Sequence, residues 1–269
     1  MAVFAHPDDE SLGVGGTLAK YASEGVEVFL VTATRGDGGR YRGHRPDDPE
    51  HPGREALGKI RETELRAAAR VLGVREVSLL DYRDQQLDGA NPREAVAGIV
   101  GHVRRVRPDV VLTFGPDGAY GHPDHIAISQ FTTAAIVAAA DPAFEFDGVA
   151  AGPAHSVSKL YYMAWPESTW AAYQAAFRKL VSAVDGVERQ ATPWADWAIT
   201  TVIDTRAFWS TAWQAISCHE SQVTAYERLK DLSPEHHESL WGWQSFYRAF
   251  STVNGGRARE TDLFEGIRR

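Results

Sequence analysis

Cysteine is almost absent: Cys218 is the only one in 269 residues. A lone thiol excludes an internal disulfide framework and any zinc site built on several cysteines. It is expected to be a small buried apolar residue. Long apolar runs are missing too. No window reaches the roughly 18 uninterrupted apolar residues of a membrane span. The acidic run Asp8–Glu10 interrupts the N-terminus too early for a secretory signal, so a cytoplasmic location is expected. Basic residues are in deficit, 28 Lys and Arg against 36 Asp and Glu, for a formal net charge of −8. That argues against nucleic acid or an anionic membrane as the main partner, since both reward clustered cations. Repeats, low-complexity tracts and a clean linker are lacking as well. A single domain over 1–269 is expected, with homo-oligomerisation left open.

What is present is ordinary for a globular chain, 43% hydrophobic and 24% charged residues. The first half alternates short β-branched runs with helical patterns, which predicts an α/β, Rossmann-like fold with a mostly parallel sheet flanked by helices. Strands are expected at Ala2–Ala5, Val26–Ala33, Val77–Leu80 and Asp109–Phe114. Helices are expected at Leu12–Glu24, Glu55–Leu72, Pro92–Val106 and about Asp124 to Ala140. The Gly-, Pro- and charge-rich stretch Arg35–Arg54 reads as a long loop. All eight tryptophans lie beyond residue 160. Arg206–Lys230 reads as one helix with Phe208, Trp209, Ala212, Trp213 and Ile216 on a single stripe. These aromatics are expected to pack the C-terminal half, 141–269, onto the sheet, or in part to line a cleft that suits a sugar ring.

Two clusters carry chemistry. AHPDDE, Ala5 to Glu10, stands where the first strand ends, and GHPDH, Gly121 to His125, follows the DVVLTF strand through a Gly/Pro turn. Each could be no more than a capped helix start, with Asp8, Asp9 and Glu10 favouring the dipole of one and Asp124 capping the other. Two histidine–carboxylate clusters at two strand ends are harder to dismiss, because ligands of open α/β sheets bind at the carboxyl ends of strands. If those strands are neighbours, a histidine and a carboxylate from one turn and a histidine from the other make a three-ligand zinc site with a place left for water. Gly13, Gly15 and Gly16 suggest a dinucleotide loop, but the next glycine wanted falls on Leu18. Close helix–sheet packing is the expected reason for them.

AHPDDE near the N-terminus, followed by HPDH after an apolar strand, resembles the PIG-L/LmbE-like deacetylases over residues 1–140. Members act in the synthesis of glycosylphosphatidylinositol, mycothiol, bacillithiol and glycopeptide antibiotics. The resemblance implies one Zn²⁺ per chain, or Fe²⁺ or another divalent ion, held by His6, Asp9 and His125. It implies Asp8 as general base, His122 as the charged partner of the intermediate oriented by Asp124, and Tyr120 as an aid to the oxyanion. Arg61 and Asp84 match positions that hold sugar hydroxyls. His219, in His219-Glu220-Ser221-Gln222, resembles a C-terminal motif near the site rim. The other histidines (His44, His51, His102, His155, His236 and His237) are read as non-ligands in polar loops or on exposed faces.

The function expected is zinc-assisted removal of acetyl from an N-acetyl amino-sugar conjugate, a small molecule. A zinc amidase acting on a bulkier thiol-conjugate amide is the close rival. A non-catalytic metal- or nucleotide-binding module has no use for Asp8 and Asp124. Phosphoryl chemistry on magnesium would want an all-oxygen shell rather than histidines.

Overall fold

The first strand, β1 (Ala2–Phe4), is buried throughout and pairs in parallel with two neighbours: Ala2 lies opposite Leu30 of β2 (Phe29–Thr34) and opposite Leu112 of β4 (Val110–Phe114). This computed structural model describes the chain except residues 148, 151, 171–180, 185–186, 223–228, 257 and 269. The seven-stranded sheet has β1 and β4 at its centre, and two separate antiparallel pairs lie outside it, β5 (Glu145–Phe146) with β6 (Val149–Ala150) and β8 (Val181–Val184) with β9 (Val187–Gln190). From β3 (Glu76–Tyr82) through β2, β1 and β4 to β7 (Lys159–Met163) every pairing is parallel. Beyond β7, β11 (Trp243–Ser251) and β10 (Thr201–Asp204) add antiparallel. The chain order reverses between β1 and β4. A doubly wound sheet opens its ligand crevice at such a point.

Four helices follow from their sequence signals. Helix α2 (Arg54–Val71) has Gly53 at its N-cap, α3 (Pro92–Val106) has the Asn91 side chain accepting from the Arg93 amide, and α5 (Pro123–Ala140) has proline in its first turn. The fourth, α1, covers Asp9–Ser23 and so begins three residues ahead of the expected Leu12. Its buried first turn carries Asp9 and Glu10, where the helix dipole favours negative charge. The three glycines let this helix lie close: a Cβ on Gly13 would stand 2.3 Å from Met163 Sδ of β7. Gly15 presses instead on Ala212 of the Trp209–Ser217 helix and Gly16 on Thr205, which directly follows β10, so helix–helix contact accounts for one of them.

Strand β2 starts at Phe29 rather than Val26, and β3 extends to Tyr82. The predicted Arg206–Lys230 helix is broken. A 3₁₀ turn at Arg206–Phe208 leads into α6 (Trp209–Ser217), which ends at Cys218, and a second 3₁₀ turn follows at Glu220–Gln222. Residues 223–228 lie outside the described residues. The α6 stripe packs as expected, with Ala212 and Ile216 buried against Leu240 and Trp241. Trp197, by contrast, is 88% exposed. Cys218 is half-buried rather than buried, its thiol facing the Gln214 carbonyl. His51 and His237 are also buried: His237 is packed against Trp209, Trp213 and Trp241 and bonded to the Leu229 carbonyl at 2.6 Å.

The antiparallel edge is tied together by Glu260. Its carboxylate accepts from Lys159 Nζ at 2.7 Å, Tyr161 Oη at 2.8 Å, Thr201 Oγ1 at 2.7 Å and Asn254 Nδ2 at 2.6 Å, and pairs with Arg248 at 2.7 Å. Burial raises its pKa, but these donors outweigh burial and bring it from 4.5 down to about 2. Substituting Glu260→Gln leaves the buried Lys159 ammonium uncompensated, a loss of roughly 3–5 kcal/mol at neutral pH. A depressed carboxylate stabilises above its unfolded pKa and loses that effect as pH falls through its folded one. The stability gap between wild type and Glu260→Gln, measured by urea denaturation, should therefore narrow between pH 4.5 and pH 2.

Candidate active site

The turn after β1 is built tightly. The Ala5 carbonyl accepts from both the amide (2.9 Å) and the hydroxyl (3.0 Å) of Thr34, fixing the strand end against β2. The His6 amide donates to Asp9 Oδ2 at 2.7 Å. Asp8 sits at φ 103°, left-handed backbone that costs a non-glycine residue about 1–3 kcal/mol. Its amide donates to Glu10 Oε2 at 3.1 Å, and Arg61 from α2 donates to the Pro7 carbonyl and to Asp8 Oδ2 at 3.3 Å. Arg61 also donates to the Gly36 carbonyl at 2.9 Å, joining the β1 and β2 turns.

The second turn, after β4, passes through a short kinked helical turn, Gly118–Gly121. Gly118 is at φ +60°, and a Cβ there would meet Ile126 Cγ1 at 2.8 Å and the Ile126 amide nitrogen at 3.0 Å. The Gly118 carbonyl lies 3.2 Å from His125 Nδ1. A carbonyl can only accept, so Nδ1 carries the proton and Nε2 presents a lone pair. The imidazole stacks on Phe114 with centroids 4.0 Å apart, which fixes its plane. His122 is the N-cap of α5, its Nδ1 accepting from the Asp124 amide at 3.1 Å, so its proton lies on Nε2.

A third turn, after β3, brings Asp84. His6 Nε2 lies 2.9 Å from Asp84 Oδ1 and 3.2 Å from Asp124 Oδ2, so Nε2 donates to carboxylate and Nδ1 faces the other way. There it meets His125 Nε2 at 3.1 Å. The Asp9 carboxylate lies against both, with Oδ2 3.7 Å from His6 Nδ1 and Oδ1 3.4 Å from His125 Nε2. Burial and then Asp84 act on His6 in opposite directions, and the carboxylates win, holding its pKa well above the usual value. Burial raises Asp9 to about 7. Burial and then the charge on His6 bring His122 down to about 4 and His125 well below the ordinary range.

This donor set fits a divalent ion of the zinc type. Ligand bonds of about 2.0–2.1 Å in a tetrahedron put ligand atoms roughly 3.3 Å apart, close to the 3.1 Å between His6 Nδ1 and His125 Nε2 and the 3.4 Å from the latter to Asp9 Oδ1, while the other Asp9 oxygen is the one 3.7 Å from His6. Two overlapping groups, His6/His122/His125 and His6/Asp84/Asp124, bring their donor atoms within 4.8 Å of one another. In the first, His122 has Nε2 to offer, since its Nδ1 accepts an amide, and in the second His6 Nε2 already meets both carboxylates.

The N-terminal half, residues 1–136, matches the family model of PIG-L, described as GlcNAc-PI de-N-acetylase. Full-length relatives agree with it. A 1D-myo-inositol 2-acetamido-2-deoxy-α-D-glucopyranoside deacetylase of Rhodococcus jostii is 34% identical over 99% of this chain and 97% of its own. The protein of the same name from Rhodococcus opacus is 37% identical over the same shares. The chain belongs to the PIG-L family. The fold is shared with N,N'-diacetylchitobiose deacetylase from Pyrococcus horikoshii, at TM-score 0.67 and 21% identity over 92% of this chain and 82% of that one. It is shared equally with 4-carboxy-2-hydroxymuconate hydratase GalB from Pseudomonas putida, at TM-score 0.67 and 18% identity over 96% and 98%. One PIG-L-type frame therefore accompanies more than one reaction.

The structure draws His6, Asp8, Asp9, Arg61, Asp84, His122, Asp124 and His125 into one crevice. Tyr120 is beside them, its ring 5.9 Å from His122 and 5.2 Å from His125. Two readings change. The Asp124 carboxylate acts on His122 by its charge, which favours the protonated ring, and its hydrogen bonds go elsewhere. It accepts from the Gln85 amide at 2.7 Å and the Leu87 amide at 3.0 Å as well as meeting His6, so a backbone amide is what holds His122. The side chain of His219 is 0% exposed and pairs with Glu10 at 2.9 Å, below the crevice rather than at its rim. Sequence reasoning passed over Glu10 and Glu64. Glu64 lies one helical turn after Arg61 on the same face of α2 and accepts from both the amide and hydroxyl of Ser221 at 2.6 Å. That i, i+3 spacing was the available signal. Substituting Gly118→Ala should shift the carbonyl that orients His125 and weaken affinity for Zn²⁺ by roughly 10–100-fold in equilibrium dialysis. Unchanged affinity would mean that His125 needs no such orienting partner.

Proposed function

We propose that this chain is a metal-dependent deacetylase of N-acetylglucosaminyl conjugates, with His6, Asp9 and His125 as ligands of a zinc ion. The observation that carries the reading is the convergence of His6 Nδ1, His125 Nε2 and the Asp9 carboxylate at 3.1–3.7 Å, with the remaining nitrogen of each imidazole committed to an oxygen acceptor. The relatives named as deacetylases of an N-acetylglucosaminyl inositol, alike over nearly the whole chain, support the substrate class. A divalent ion held there would acidify a water and polarise the acetyl oxygen.

The chain's own groups supply the rest. Asp8, at the lip of the same turn, is held by Arg61 at 3.3 Å and is suited to take a proton from the attacking water and return it to the departing amine. His122, with its proton on Nε2, is a neutral donor for the developing oxyanion. Tyr120 can assist, because burial, then Asp9 and Asp8, raise its phenol pKa and keep it protonated. Arg61 and Asp84 are largely spent on the framework, so their contacts to sugar hydroxyls would be made by edges of groups already anchored.

The test combines metal analysis with turnover. His6→Ala, Asp9→Ala and His125→Ala should each lose stoichiometric zinc, whereas Asp8→Ala should keep zinc and lower turnover of an N-acetylglucosaminyl inositol by two to four orders of magnitude, the usual worth of a general base. Metal retained by His125→Ala would refute the ligand set. A panel setting N-acetyl sugars against thiol-conjugate amides separates the deacetylase from the amidase: turnover of the amides alone would overturn the substrate reading.

A further inference from the structure

Glu10 belongs to the AHPDDE turn, yet neither the metal triangle nor the proton transfers use it. It is 0% exposed, and one oxygen, Oε2, accepts the amide of Asp8 at 3.1 Å. The other, Oε1, faces His219 Nε2 at 2.9 Å and Ser11 Oγ at 2.5 Å. His219 lies two residues after the end of α6, is itself 0% exposed, and its ring nitrogen also stands 3.4 Å from Ser11 Oγ. The adjoining Ser221 is clamped to Glu64 of α2 through amide and hydroxyl, both at 2.6 Å, and α2 is the helix whose Arg61 holds Pro7 and Asp8. The peptide segment 219–221 thereby grips the Asp8 turn from two sides: through Glu10 to its backbone amide, and through Glu64 and α2 to its side chain.

The strain at Asp8 gives this grip a purpose. A non-glycine residue at φ 103° needs surrounding bonds to over-determine it. Here the strained residue's own amide is bonded to Glu10, and Glu10 is fixed by a group 209 residues away in sequence. We propose that Glu10 and His219 act as a positioning pair that sets the backbone of Asp8, and so aims its carboxylate, rather than contacting substrate or metal. The inference rests on the reading of Asp8 as the base. It reassigns His219, whose burial keeps it from a sugar.

Three variants test this, each measured for zinc content, melting temperature, kcat and KM on the N-acetylglucosaminyl inositol. Glu10→Gln and His219→Gln should lower kcat at least about tenfold, leave KM within about threefold, and retain stoichiometric zinc. Ser11→Ala, which removes one neighbour of Glu10 Oε1, should lower kcat more mildly in the same pattern. The deciding measurement is a double-mutant cycle: placed on Asp8→Ala, His219→Gln should lower residual turnover no further, since residues that act through one another are non-additive. An additive loss, a rise in KM with kcat unchanged, or loss of zinc would overturn the positioning role. Should Glu10→Gln fail to fold, His219→Gln and Ser11→Ala carry the same comparison. Full turnover by Asp8→Ala would instead defeat the base assignment. A base-dependent enzyme whose His219→Gln variant keeps its kcat would defeat only the present inference.

Discussion

Charge crowding in a buried crevice governs the design. Asp8, Asp9, Glu10, Asp84 and Asp124 all lie within a few residues of strand ends and are no more than 9% exposed. Two like charges 4 Å apart repel by about 4 kcal/mol at an effective dielectric of 20, so such a cluster unfolds its surroundings unless every carboxylate is answered. The answers are specific: Arg61 for Asp8, His219 for Glu10, His6 for Asp84, and two backbone amides with His6 for Asp124. Asp9 is the one whose charge is answered least completely, with its pKa raised to about 7 by burial. Its two oxygens are also the ones that approach His6 Nδ1 and His125 Nε2.

The switch point explains why this crevice forms where it does. Between β1 and β4 the connections leave in opposite directions, so no crossover helix covers the strand ends. The two signature turns emerge side by side there, and β2 and β3 contribute Gly36 and Asp84 from the next turns along. The likeness to both a deacetylase and a hydratase fits a frame that supplies the location, while individual side chains supply the reaction.

Much of this could be read from the chain. Apolar runs gave four of the five parallel strands, missing Lys159–Met163, and the two histidine–carboxylate turns gave the site, because local patterns record burial and strand ends. Other features left no local trace. Helix α1 starts at Asp9 because Asp8 takes up a strained backbone conformation, which no propensity scale anticipates. The long helix assumed over Arg206–Lys230 stops at Cys218 so that His219 and Ser221 can turn inward to Glu10 and Glu64, a tertiary demand that overrides the helical stripe. Whether Asp124 touches His122 through its carboxylate or its amide could not be read from a spacing of two residues.

The reach of that inward turn bears on biogenesis. Glu10 is synthesised well before His219, and their buried bond spans 209 positions. A nascent chain carrying both histidine–carboxylate turns still lacks the cation that answers Glu10, and contacts this distant close late, after most of the loop entropy has been spent. The N-terminal half can collapse early as a sheet, but its reactive turn is set last. Until residue 219 has emerged, a growing polypeptide lacks this support for the Asp8 turn.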